Sequence, residues 1–161
     1  MDPISQAVSK ITVPSLLDRK LRGERIVCLT AYDYPSARLV DEAGVDLLLV
    51  GDSLAQVVLG YDSTVPVTLD EMLHHLRAVR RAVRRALLVL DLPYGTYHAS
   101  EAEALSAAIR ALKDGAEAVK VEGGRRRAAL IRRMVEAEIP VMGHIGLTPQ
   151  SVHALGGYRV Q

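Results

Sequence analysis

Three acids in this chain stand directly after short aliphatic runs, and each is followed by turn-forming residues. Leu47-Leu48-Leu49-Val50-Gly51 leads into Asp52 and Ser53, Leu87-Leu88-Val89-Leu90 into Asp91, and Val119-Lys120-Val121 into Glu122 before Gly123-Gly124. The acids are spaced by about one strand-plus-helix unit, so each falls at the carboxyl end of a successive strand. Neighbouring parallel strands lie about 4.8 Å apart, which brings the three carboxylates within mutual reach. Like charges about 4 Å apart cost on the order of 4 kcal/mol per pair at an effective dielectric of about 20. A hard divalent cation is the simplest relief, because Mg²⁺ takes one or two carboxylates and fills its other positions with water and substrate oxygens. Zinc fits less well, since neither an HExxH pattern nor paired cysteines are present. Lys120 stands out among four lysines and sixteen arginines. It lies two residues before Glu122, hence on the same strand face, and could neutralise a bound carboxylate or a developing enolate.

Other candidates carry weaker signals. His144 ends a fifth aliphatic run and is read either as a neighbour of this site or as a residue bonded to an adjoining loop. His74 and His75 are adjacent on a helix, cannot share a face, and are read as surface residues. Cys28 has no partner cysteine and sits in Ile26-Val27-Cys28-Leu29, which makes a buried structural thiol the expectation. Arg125-Arg126-Arg127 opens a helix, where the macrodipole disfavours cations; an anion site is conceivable there, and a solvated run is the simpler reading.

The elements that must position these residues follow from periodicity and punctuation. Pro14 to Gly23 reads as a short helix with Leu17 and Leu21 one turn apart and Gly23 as its cap. Ile26 to Tyr32 reads as a first strand, Tyr34 to Ala43 as a helix stopped at Gly44, and Val45 to Asp52 as a second strand covered on both faces. The connection from Ser53 to Pro66 exceeds the usual 2–6 residues or so for such loops and begins at the Asp52-Ser53 pair, the character of a binding loop. Thr68-Leu69-Asp70-Glu71 is a capping box. It opens a helix with Leu69, Met72, Leu73, Leu76, Val79 and Val83 inward and Arg77, Arg80, Arg81, Arg84 and Arg85 on a solvated outer face. A third strand spans Ala86 to Leu92. Ser100 and Glu103 repeat the capping-box logic for a helix with Leu105, Ala108, Ile109 and Leu112 inward, ended by Gly115. Ala118 to Glu122 is a fourth strand, Ala128 to Glu136 a helix presenting Leu130, Ile131, Met134 and Val135, and Val141 to Leu147 a fifth strand. Thr148 to Val152 opens a further helix.

Alternating strands and helices with right-handed crossovers define an α/β fold with a parallel sheet. Spacing leaves a partial barrel and an open doubly wound sheet as alternatives, since both place function at the carboxyl ends of strands. With 161 residues, 49% hydrophobic and 24% charged, the chain suits one domain over 1–161 with a true core. A net charge of +1 gives no electrostatic reason to expect nucleic acid or an anionic membrane. The arginine-rich helix lacks the aromatic or glycine-rich elements that read nucleic acid. No apolar run approaches the ~20 residues of a membrane helix, and Met1-Asp2-Pro3-Ile4-Ser5 lacks the regions of a signal peptide. A cytoplasmic setting is the expectation.

At these residues the sequence resembles the ketopantoate hydroxymethyltransferase family. The matching words are Thr30-Ala31-Tyr32-Asp33-Tyr34, Val50-Gly51-Asp52-Ser53-Leu54, Gly60-Tyr61-Asp62-Ser63-Thr64 with Pro66-Val67-Thr68, Asp91-Leu92-Pro93, Lys120-Val121-Glu122-Gly123-Gly124, and Gly143-His144-Ile145-Gly146-Leu147-Thr148-Pro149-Gln150-Ser151 with Gly156-Gly157-Tyr158. They keep the family's order over nearly the whole chain. The resemblance implies a (β/α)₈ TIM barrel of the phosphoenolpyruvate mutase/isocitrate lyase kind, present here as about five parallel strands, and a homo-oligomer. It implies that Asp52 and Asp91 bind Mg²⁺, that Glu122 completes the metal site, and that Ser53, Lys120 and the two aspartates hold a 2-oxo acid. The implied reaction passes a hydroxymethyl group from 5,10-methylenetetrahydrofolate to 3-methyl-2-oxobutanoate in pantothenate biosynthesis, through loss of the C3 proton and attack of the enolate on the methylene carbon.

The departure from the family pattern is length. A barrel of this type has ~250 residues, and the glutamate that takes the C3 proton in the family matches no residue of this sequence. A five-strand arc also leaves two sheet edges open. The expectation is therefore a metal and oxo-acid half without its base, inactive alone or complemented by a C-terminal half. The alternatives are a non-catalytic fragment that assembles with other subunits, and another Mg²⁺-dependent enolate-forming lyase of the superfamily.

Overall fold

The computed structural model describes residues 9–158; the reading of Met1 to Ser5 lies outside them. Helix α1 (Val13–Leu21) is opened by a capping box between Thr12 and Ser15. Strand β1 (Cys28–Thr30) is followed by α2 (Tyr34–Glu42), whose first turn is capped by Asp33 accepting from the Ser36 N–H at 2.8 Å. Strand β2 (Leu47–Val50) leads into a one-turn helix α3 (Leu54–Val57) inside the long connection. The capping box at Thr68 forms as expected. The Glu71 N–H donates to the Thr68 hydroxyl, and the Glu71 carboxylate accepts from the Thr68 N–H at 2.7 Å. It starts α4 (Leu69–Ala82). Replacing Thr68 with alanine is expected to lower the unfolding free energy by about 1–2 kcal/mol in urea titrations, the usual cost of losing an N-cap.

Strand β3 (Leu87–Asp91), α5 (Glu101–Lys113), β4 (Ala118–Glu122), α6 (Ala128–Glu136), β5 (Val141–His144) and a short α7 (Val152–Leu155) complete the order. At α5 only half of the expected capping box forms: Ser100 accepts from the Glu103 N–H, with no reciprocal bond from the Glu103 side chain. The inward stripe of α5 also differs from expectation. Ala104, Ala107, Ala108 and Ala111 are buried while Ile109 is exposed, because small side chains let the helix lie close on the sheet. On α6, Leu130 and Met134 are buried and Val135 is exposed.

All five strands are parallel and run in the order β1-β2-β3-β4-β5. Among the described residues the strand order never reverses, so they contain no topological switch point of the doubly wound kind. The sheet is an arc of a TIM barrel. Its two faces follow the period of two along each strand. Leu48, Val50, Leu88, Leu90, Val119 and Val121 pack with the inner faces of α4, α5 and α6 in the main core. Leu47, Leu49, Leu87, Val89, Ala118 and Met142 point to the barrel interior, where Ile11, Val13 and Leu16 pack against them from below. A concavity of about 670 Å³ borders this lower interior face. Cys28 lies on its rim and is exposed, contrary to the expected buried thiol; β1 pairs on one side only among the described residues and is exposed throughout.

Buried polar groups pin the helices to the sheet. Asp41, at the end of α2, accepts from the backbone N–H groups of Arg84, Arg85 and Ala86 at 2.7–3.1 Å, holding the turn between α4 and β3. Arg85, expected on the solvated face, instead donates to the Gly44 carbonyl at 2.9 Å and to Asp46 at 3.1 Å. His75, expected at the surface, is half-buried and bonded through Nδ1 to the Tyr32 carbonyl at 2.7 Å, which fixes the loop after β1. Arg77, by contrast, pairs with Asp114 at the surface. No helix among the described residues is long and apolar enough to cross a membrane.

Candidate active site

The interior face of the sheet is apolar at its lower end and ionisable at its upper end. Asp91 ends β3 and pairs in register with Lys120, and Glu122 ends β4 in register with His144. Asp52 follows β2 directly. Because Asp91, Lys120 and Glu122 occupy alternate positions of adjacent strands, pleating turns all three to the interior. Asp52, Asp91, Lys120 and Glu122 are all buried. After Glu122 the chain turns sharply at Gly123, whose φ of +110° suits glycine, and its N–H donates to the His144 carbonyl at 2.9 Å.

Lys120 is the cation of this cluster. Its Nζ donates to Asp91 Oδ2 at 2.6 Å and lies 3.8 Å from Glu122 Oε1. Asp91 Oδ2 also accepts a long bond, 3.4 Å, from the Asp52 N–H. Burial, opposed by Lys120 and reinforced by repulsion from Asp52 and Glu122, pushes the Asp91 carboxyl up to about 7. Burial raises Asp52 and Glu122 as well, against hydrogen bonds from Gln150 that lower them. One lysine therefore does not neutralise three desolvated acids. Asp91 Oδ1 and Glu122 Oε1 are buried without a hydrogen-bond partner among the described residues. Orphaned carboxylate oxygens facing one interior are a site for positive charge, and hard oxygens suit Mg²⁺. Among the described residues, no three His, Cys, Asp or Glu side chains already converge at ligand distances. Lys120 and Gln150 occupy the space between the acids.

Ser53, the expected oxo-acid contact, starts the long connection. Its Oγ lies 2.8 Å from the Tyr32 hydroxyl. His144 joins the site: its Nδ1 is 3.2 Å from Glu122 Oε1, without the alignment of a hydrogen bond. The described structure thus brings Asp52, Ser53, Asp91, Lys120, Glu122 and His144 to one end of the sheet. It adds two residues to which sequence reasoning assigned no role. Gln150, buried at the start of a 3₁₀ turn, donates through Nε2 to Asp52 Oδ2 at 2.8 Å and through its backbone N–H to Glu122 Oε2 at 3.1 Å. The Tyr97 hydroxyl donates to Gln150 Oε1 at 2.6 Å. The only signal for Gln150 was its place in the word Thr148-Pro149-Gln150-Ser151, and Tyr97 carried none.

The Arg125–Arg127 run forms a 3₁₀ turn at the mouth of a polar cleft of about 350 Å³ that reaches Glu122 and Gln150. Arg127 lies over the Tyr97 ring, 5.2 Å from its centroid, and Arg125 and Arg126 are exposed.

The family model described as ketopantoate hydroxymethyltransferase matches residues 10–161. The chain is 64% identical over 154 residues to the 3-methyl-2-oxobutanoate hydroxymethyltransferase of Koribacter versatilis, covering 95% of this chain and 52% of that protein. It is 59% identical over 155 residues to the enzyme of the same name from Carboxydothermus hydrogenoformans, covering 96% and 56%. The chain spans about half the length of the curated relatives it matches. Solved structures share the fold at low identity. A 2,3-dimethylmalate lyase of the PEP mutase/isocitrate lyase superfamily superposes with a TM-score of 0.58 at 18% identity, covering 83% of this chain and 52% of the lyase. A phosphonopyruvate hydrolase in complex with oxalate and Mg²⁺ gives 0.56 at 19%, covering 69% and 38%.

Proposed function

Since the chain belongs to the ketopantoate hydroxymethyltransferase family, we propose that it carries the metal- and oxo-acid-binding half of 3-methyl-2-oxobutanoate hydroxymethyltransferase, with 5,10-methylenetetrahydrofolate as co-substrate in pantothenate biosynthesis. The observation that carries this reading is the buried cluster of Asp52, Asp91 and Glu122 around Lys120, with two carboxylate oxygens unpartnered among the described residues. Asp52, Asp91 and Glu122 would hold Mg²⁺, which when bound acts as a Lewis acid on the 2-oxo acid and eases loss of its C3 proton.

The chain's own residues have separate tasks under this reading. Lys120 supplies the positive charge against which negative charge on the oxo acid develops, in a site already shielded from water. The Ser53 hydroxyl, held at 2.8 Å from Tyr32, orients the oxo acid at the mouth of the long connection. His144 sits beside Glu122, its Nδ1 3.2 Å from Oε1. Acceptance of the C3 proton is assigned to none of these groups under this reading, and the expected behaviour of the 161-residue chain is binding of the oxo acid without turnover. Assembly with other subunits and a cytoplasmic setting belong to the proposal; the exposed apolar side chains of Val57, Val58 and Leu59 support the first.

The deciding experiment is titration calorimetry of 3-methyl-2-oxobutanoate into the 161-residue chain with and without Mg²⁺, beside a turnover assay containing methylenetetrahydrofolate. Mg²⁺-dependent binding without turnover is expected, and addition of a relative's C-terminal half should restore turnover. Turnover by the chain alone at the rate of a full-length relative would refute the assignment of only the binding half.

The raised carboxyls set a pH dependence. Asp91 titrates near 7 when folded and near 4 when unfolded, so the folded state holds a proton that the unfolded chain releases over that range. Its contribution to stability is complete below about pH 4 and is lost as pH rises through 7. A bound cation replaces the proton. The melting temperature in EDTA is therefore expected to fall between pH 5 and pH 8, and Mg²⁺ to recover the loss at pH 8 while adding little at pH 5. Calorimetric scans at the two pH values check both limbs, and an equal Mg²⁺ effect at each would contradict the assignment.

A further inference from the structure

The Gln150 side chain is buried and every polar atom of its amide is engaged. Nε2 donates to the Leu92 carbonyl at 3.0 Å and to Asp52 Oδ2 at 2.8 Å. A backbone carbonyl can only accept, so the amide nitrogen must face it; the flipped amide would set oxygen against a carbonyl and a carboxylate together. With the nitrogen so fixed, Oε1 is the acceptor for the Tyr97 hydroxyl at 2.6 Å. That hydroxyl has one proton, spent on Gln150, and its oxygen accepts from the Glu122 N–H at 3.2 Å. The polarity of the whole chain is determined: Glu122 N–H to Tyr97, Tyr97 O–H to Gln150, Gln150 N–H to Asp52.

We propose that Gln150, oriented by Tyr97, is the positioning residue of the metal site, fixing the Asp52 carboxylate by its amide and the Glu122 carboxylate by its backbone N–H. The proposal rests on the metal reading given above. Its physical basis is that a ligating carboxylate with one oxygen tied keeps its other lone pairs aimed in one direction. Asp52 follows β2 in a turn, and the Gln150 amide tethers it to the Leu92 carbonyl just past the end of β3. Glu122 is gripped twice, at Oε2 by the Gln150 N–H and at its own N–H by Tyr97. Tyr97 is itself held, with its ring under Arg127 and its side chain buried, so removal of its hydroxyl leaves the packing in place.

Mn²⁺ is the probe, because it prefers the same oxygen ligands as Mg²⁺ and free Mn²⁺ is read by electron paramagnetic resonance without any turnover. The parental chain, Gln150→Met, Tyr97→Phe and the double variant are titrated. Gln150→Met keeps length and volume without a donor, and is expected to weaken Mn²⁺ about 10–100-fold. Tyr97→Phe is expected to weaken it about five- to ten-fold in the parental background, within the same range for groups behind the ligands, and by a smaller factor, about two- to three-fold, once Gln150 is methionine, where only the Tyr97 contact to the Glu122 N–H is left to lose. Parental affinity in Tyr97→Phe, or equal effects of that change in both backgrounds, overturns the proposal alone. Should Gln150→Met fail to fold, Tyr97→Phe decides by itself. Absence of Mn²⁺ binding to the folded parental chain overturns the metal reading and this proposal with it.

Discussion

Asparagine in place of Asp91 is expected to abolish the Mg²⁺-induced rise in melting temperature while leaving the metal-free protein at pH 8 as stable as the parent or slightly more stable. Two effects compete. Breaking a buried ion pair usually costs about 3–5 kcal/mol, because the remaining charge is left uncompensated. Here the partner, Lys120, keeps Glu122 at 3.8 Å, so it is not stranded. The Asp91 carboxyl itself is pushed up to about 7, chiefly by burial. A raised value means that desolvation and the repulsion of two neighbouring acids outweigh the attraction of Lys120. Ionised Asp91 is thus a net cost to the fold at pH 8, and a neutral isostere removes it. Function and stability separate at this residue, as at sites where charge is kept for a ligand. The check is a pair of thermal scans, with EDTA and with saturating Mg²⁺, beside calorimetric Mg²⁺ binding, in which a loss of at least about 100-fold is expected, beyond the 10–100-fold typical of groups behind the ligands. A fall of many degrees in EDTA would mean that Asp91 and Lys120 form a structural ion pair.

The second large effect concerns stability alone. Asp41→Ala is expected to lower the unfolding free energy by about 3–5 kcal/mol, with Mg²⁺ affinity unchanged in the protein that remains folded. The carboxylate accepts from three consecutive backbone N–H groups, those of Arg84, Arg85 and Ala86. Each bond to a charged acceptor is worth about 1.5–3 kcal/mol, and a donor left buried and unpaired costs about 1–3 kcal/mol. Water reaching the exposed Arg84 backbone recovers part of this; the Ala86 N–H, inside the core, recovers none. Asp41→Asn keeps one acceptor and is expected to cost about 1–2 kcal/mol. Urea midpoints of the two variants give the ordering, and a loss below about 1 kcal/mol for alanine would show that the turn finds other partners. Asp41 holds the turn that precedes β3, at the opposite end of that strand from Asp91, which makes metal affinity the control.

The contrast between these residues shows where sequence reasoning stops. Asp91 announced itself through an aliphatic run that ended in an acid, repeated three times at one spacing. Asp41 carries no such mark: it is one acid in a polar helix, and its partners lie more than forty residues further along the chain. Asp46 is the same case. It is buried, accepts from the Val27 N–H at 3.0 Å, and lies against Arg19 and Arg85, three contacts that no local pattern connects. Adjacency to His74 on one helix points His75 to the surface, and helical periodicity places Arg85 beside the apolar stripe. Each instead reaches a loop carbonyl distant in sequence, that of Tyr32 after β1 for His75 and that of Gly44 after α2 for Arg85, and only the packing of α4 and the turn after it against α2 and the strands puts those carbonyls within range.

By itself the sequence determined the alternation of strands and helices, the caps at Thr68 and Ser100, the fourth strand and the following helix to the residue, and the gathering of Asp52, Asp91, Lys120 and Glu122 at one sheet end. These are consequences of short-range rules: hydrophobic period, hydroxyl-to-amide capping, and the alternation of side chains along a strand. Tertiary structure decided the rest. Strand order made the sheet a barrel arc, since barrel and doubly wound units share one local chemistry and differ only in which neighbour each crossover reaches. It set the alanine face of α5 inward, because the closest helix-to-sheet approach and not the largest side chain wins there. It left Cys28 exposed, since among the described residues β1 has a strand on one side only. And it placed Gln150 and Tyr97 among the carboxylates. An amide and a phenol have no signature in a strand run, and their role exists only where the chain after β5 folds back over the ends of β2, β3 and β4.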